Sequence, residues 1–77
     1  MKVNEIISDA RRQIELIPPQ ENGRVVATVI NEAEMVKYDV VFLAKPRIEN
    51  QEDAVKWSDN EPLPFEWVYE EYIKSSL

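Results

Sequence analysis

Seventy-seven residues, 44% hydrophobic and 31% charged, with no cysteine, no histidine and a net charge of −6, make one small domain spanning 1–77 with a thin core. That inventory excludes disulfide staples, thiolate zinc sites and the usual Ser–His or Cys–His nucleophile pairs. A single glycine excludes a Walker loop and a dinucleotide fingerprint.

At the N-terminus, Glu5 and Asp9 interrupt the apolar stretch that a secretory signal needs. The longest apolar run, Val40 to Ala44, falls far short of a membrane span. Both features predict a soluble, cytoplasmic protein with no membrane partner. Val3, Ile6, Ile7, Ala10, Ile14 and Ile17 recur at spacings of three and four, which puts them on one face of a helix. Arg11 with Glu15, and Asp9 with Arg12, are positioned as surface pairs on that helix. Pro18-Pro19 ends it, because Ile17 before proline is pushed out of the α region. An extended Ile14–Ile17 turning at Asn22-Gly23 is the competing reading, and the six helical-phase positions outweigh it. Gly23 marks a turn expected to need a positive φ.

Arg24 to Ile30 is dense in β-branched residues and reads as a strand. After the polar connection Asn31–Met35, the segment Val36–Lys45 reads as a second strand with Val36, Tyr38, Val40, Phe42 and Ala44 on one side. Val41 and Leu43 on the opposite side make its later half apolar on both faces, as in a central strand. Residues 46–60 read as a loop or a short third strand at Ala54–Ser58, where Val55 and Trp57 alternate with Lys56. Asn50 followed by Asp53 offers a helix cap instead. The strand is preferred because a lone hairpin is marginal.

Pro62 and Pro64 bracket the start of a predicted second helix, with Phe65, Val68, Tyr69, Tyr72, Ile73 and Leu77 as its apolar face. Glu66 near its start and Lys74 near its end agree with the helix dipole. The expected fold is therefore α+β, in the order α-β-β-(β)-α. An antiparallel hairpin or three-stranded sheet would carry both helices on one face.

Charge is partitioned along the chain. Met1–Arg47 holds seven basic and seven acidic residues. From Ile48 on, Lys56 and Lys74 face Glu49, Glu52, Asp53, Asp59, Glu61, Glu66, Glu70 and Glu71, which is the whole −6. On the predicted second helix, Trp67 falls opposite the apolar arc, among Glu66, Glu70, Glu71 and Lys74. A tryptophan among acids is a candidate anchor for a protein partner with a basic surface. Trp67, Glu66, Glu70, Glu71, Glu61 and Asp59 are the expected contacts, the carboxylates standing in for phosphates on a nucleic-acid-binding protein. The competing reading makes Trp67 a cover for a second strip of core.

No catalytic residue, metal or cofactor is predicted. Asp59, Glu61 and Glu70 have the first, third and twelfth spacings of a calcium loop, but Leu63 and Pro64 stand where an oxygen ligand and glycine are required. Glu32, Glu34 and Asp39 read as solvated acids. Arg11-Arg12 and Lys45-Pro46-Arg47 lack an aromatic stacking platform, and the net charge is negative, so direct nucleic-acid binding is not expected. The alternative to a basic partner is assembly, as a homodimer or a small subunit, motivated by the thin core and an open strand edge.

Overall fold

In the computed structural model, residues 2–47 and 64–77 are described. The first apolar stripe winds into helix α1, Val3–Ile14. Ile6, Ala10 and Ile14 are buried, with Ile7 packed beside them. Val3 and Ile17, the outer members of the predicted stripe, stay exposed. The helix stops ahead of the prolines: the Ile17 N–H donates to the Ile14 carbonyl at 2.9 Å, closing the last turn tightly.

The chain then reverses through a turn in which the Gly23 N–H donates to the Gln20 carbonyl at 2.8 Å. The left-handed residue is Asn22, with φ 61°, and not Gly23 as the sequence suggested. Asparagine tolerates that region because its short side chain bonds locally. Glycine is required next to it for space. A Cβ at position 23 would lie 2.8 Å from the Gln20 carbonyl oxygen and 3.1 Å from the Trp67 ring.

Three antiparallel strands follow: β1, Arg24–Asn31, β2, Val36–Pro46, and β3, Phe65–Ser76. Their order is β1-β2-β3, so β2 is central, as its two apolar faces implied. In the β1–β2 hairpin Val25, Ala27 and Val29 stand opposite Phe42, Val40 and Tyr38. Residues directly opposite share a face, and this face receives α1. Ile6, Ala10 and Ile14 close there on Ala27, Val29, Tyr38, Val40 and Phe42. The hairpin turn ends on a left-handed Met35, φ 58°.

The predicted second helix is absent: Phe65–Ser76 is a twelve-residue strand. Two causes act together. Phe65, Trp67, Val68, Tyr69, Tyr72 and Ile73 are aromatic or β-branched, the types that pack best on a pleated surface. A bulge then disguises the strand period. Val41 pairs with Glu71 and Phe42 with Tyr69, so Glu70 has no opposite number. The extra residue shifts the alternation, and Phe65, Trp67, Tyr69 and Tyr72 fall on one face with a final step of three that imitates a helix. The suggested strand at Ala54–Ser58 and cap at Asn50–Asp53 lie outside the described residues. The result is a small single α+β domain that has, among the described residues, one helix on a three-stranded antiparallel sheet. Among the described residues no helix is long and apolar enough to cross a membrane.

A candidate interaction edge on strand β3

The pairing of β3 with β2 sets which side chains face the helix. Trp67 is opposite Ala44, Tyr69 opposite Phe42 and Tyr72 opposite Val40, so all three rings lie on the α1 side. Tyr69 meets Phe42 edge-on at 6.4 Å between ring centres, and Tyr72 meets Tyr38 at 5.8 Å, geometries that ring quadrupoles favour.

Trp67 is held more tightly than an exposed anchor would be. Its ring is half-buried against the core, and its indole N–H donates to the Ile17 carbonyl at 2.8 Å. Its own carbonyl accepts from Arg11 Nη1 at 3.1 Å, while the Arg11 guanidinium lies 5.2 Å from the centre of the Phe42 ring. Arg11 therefore reaches across to β3 and not to Glu15. Asp9 and Arg12 do form the expected pair, at 3.8 Å on an exposed surface, a geometry worth little. The wheel that grouped Trp67 with Glu66, Glu70, Glu71 and Lys74 was helical, and it does not survive in a strand.

The glutamates occupy different ground. Glu66 opposite Lys45 and Glu71 opposite Val41 lie on the face away from α1, and Glu70 sits at the bulge. All three are exposed, and among the described residues none is within ion-pairing distance of a cation. Asp59 and Glu61 lie outside the described residues.

β3 is also an edge. Among the described residues it pairs with β2 on one side only. Helix α1 sends one side chain to each outer strand: Gln13 Nε2 donates to the Thr28 carbonyl of β1 at 2.7 Å, and Arg11 donates to the Trp67 carbonyl of β3. Beyond Trp67, from Tyr69 to Ser76, the outer backbone of β3 has no partner among the described residues. Alternate N–H and C=O groups along such an edge can accept another strand.

The sheet face away from α1 mixes apolar and polar groups. Val26, Ile30 and Ile73 are 47%, 55% and 55% exposed, Leu43 and Val68 are half-buried, and among the described residues Val41 alone is buried there. Thr28 Oγ1 donates to Asp39 Oδ1 at 2.8 Å across β1 and β2. A shallow groove of about 430 Å³ separates α1 from the start of β3, lined by Ser8, Arg11, Arg12, Ile14, Glu15, Glu66 and Trp67. Among the described residues no three acidic side chains converge closely enough to hold a metal.

Arg11 and Gln13 are the residues that sequence reasoning missed. Their partners lie 56 and 15 residues away, beyond any local spacing rule. No family model, curated protein or solved structure matches this chain.

Proposed function

We propose that this protein is a soluble, cytoplasmic, non-catalytic interaction module that docks on a basic surface of another protein through the acids of β3. A nucleic-acid-binding protein is one such partner, with Glu66, Glu70 and Glu71 taking the place of phosphates. The observation that carries this reading is an edge strand bearing three exposed glutamates that lack a cation partner among the described residues. Carboxylates left without an internal partner are free to pair externally, and complementary charge speeds and orients encounter.

The test is a pulldown from lysate at low ionic strength with stepwise salt elution, the eluate read by mass spectrometry. A basic protein released at moderate salt is expected, since exposed charge pairs are screened beyond about 10 Å at 0.1 M salt. Glu70→Lys with Glu71→Lys removes that partner while leaving the circular-dichroism spectrum unchanged. Recovery of the bait alone at every salt step refutes the reading.

Assembly through the sheet face away from α1 is the second reading, favoured by the exposure of Val26, Ile30 and Ile73. Sedimentation at high concentration tests it: a salt-insensitive dimer supports it, and a strict monomer removes it.

A further inference from the structure

We propose that the basic partner engages by adding an extended strand to the outer edge of β3, a strand that alternates apolar residues with Lys or Arg. This deepens the preceding reading and rests on it.

The argument begins from what an added strand would meet. Side chains alternate across a sheet, so along the open stretch one face of the newcomer lies beside Tyr69, Tyr72 and Lys74 and the other beside Glu71 and Ile73, with Glu70 at the bulge between them. The first row presents two aromatic rings, which favour apolar neighbours, and ends on Lys74; Glu71 on the second row, with Glu70 next to it, favours ammonium or guanidinium groups. The backbone from Tyr69 to Ser76 has unused groups to pair with, among the described residues. An extended peptide with apolar and basic faces satisfies all three demands at once, main-chain bonds giving affinity and alternate side chains giving selectivity.

The same charges act against a second copy of the chain. In the antiparallel register that uses all of Phe65–Ser76, Glu70 of each copy stands opposite Glu71 of the other. Like charges directly opposite are destabilising, so the edge discriminates by repelling itself while attracting a basic strand.

The experiment titrates the full chain, ¹⁵N-labelled, with a synthetic peptide alternating Lys and Val. Three controls accompany it: a block isomer with the lysines and valines segregated, and two peptides N-methylated on either the Lys or the Val positions. Strand addition predicts amide shifts concentrated at Phe65–Ser76. It predicts binding about tenfold weaker or worse, about 1.4 kcal/mol, for one methylated peptide and little change for the other, because only alternate residues point their backbone at β3. Glu71→Lys is expected to weaken the alternating peptide by a similar factor.

Equal binding by both methylated peptides and the block isomer overturns strand addition and leaves docking by charge alone. Absence of binding by the alternating peptide, while the pulldown still recovers a basic protein, likewise sinks strand addition and spares the broader reading. A dimer in sedimentation whose β3 amides are protected without peptide makes the second copy the occupant and also overturns it.

Discussion

Trp67→Ala is expected to destabilise the protein by about 3 kcal/mol, and the figure can be built from the contacts. Full truncation of a buried tryptophan costs about 3–5 kcal/mol. Trp67 is half-buried, with one side packed on the core and its ring against Gly23, so about 2 kcal/mol is the share its packing carries. The indole bond to the Ile17 carbonyl adds about 1 kcal/mol, at the modest end because Ile17 is exposed and its carbonyl can be hydrated. A chain of 77 residues has a total stability of roughly 4–12 kcal/mol, so this one side chain carries a sizeable share. The corresponding fall in Tm is about 12–24 °C. Trp67→Phe keeps most of the packing and loses the hydrogen bond, for a loss of about 1 kcal/mol. Urea and thermal unfolding followed by far-ultraviolet circular dichroism measure both. If Trp67→Ala unfolds within about 0.5 kcal/mol of the parent, as exposed surface changes do, the ring is free and the packing argument is wrong. If Phe and Ala cost the same, the ring carries nothing and only the N–H matters.

Gly23→Ala should lose about 1–3 kcal/mol in the same urea assay, because the new methyl collides with the Gln20 backbone oxygen as well as the Trp67 ring; an unchanged midpoint would show that the turn yields freely. Met35→Gly should gain about 0.5–1 kcal/mol, since Met35 is left-handed and exposed and so gives up little burial; a loss in Tm contradicts this. Arg11→Met should lose about 1–2 kcal/mol by removing the contact with Phe42 and the bond to the Trp67 carbonyl. Arg12→Met, which removes only the exposed pair with Asp9, should stay within about 0.5 kcal/mol; equal effects from the two arginines would refute the distinction.

The elements that followed simple periodicity were legible. Ile6, Ala10 and Ile14 recur at helical spacing, and the alternation of Tyr38, Val40 and Phe42 is that of a half-covered strand. Both groups meet in the core. The candidate site was legible only as composition: acids and aromatics in the same stretch. The helical wheel assigned them to the wrong faces. In the strand, Trp67 turns inward and Glu66 and Glu71 turn to the opposite side of the sheet. No local rule connects Arg11 to Trp67, because that bond closes a loop of 56 residues.

A stricter reading of β2 would nonetheless have recovered β3. Val40, Val41 and Phe42 are three consecutive apolar residues, all buried in the fold, and consecutive side chains in a strand point to opposite faces. Burial on both faces, in a strand of eleven residues, is hard to achieve with one neighbour of eight, which leaves the far edge of β2 unpaired. Unpaired backbone at the middle of a core is costly, so a second neighbour of comparable length was required. Residues 65–76 are long enough and rich in β-formers, and Phe65, Trp67, Tyr69 and Tyr72 share the α1 face once the extra glutamate is skipped. The pattern that resembled a helix at Tyr69–Tyr72 was the bulge, and that bulge is what turns Glu70 and Glu71 toward solvent on the open edge of the sheet.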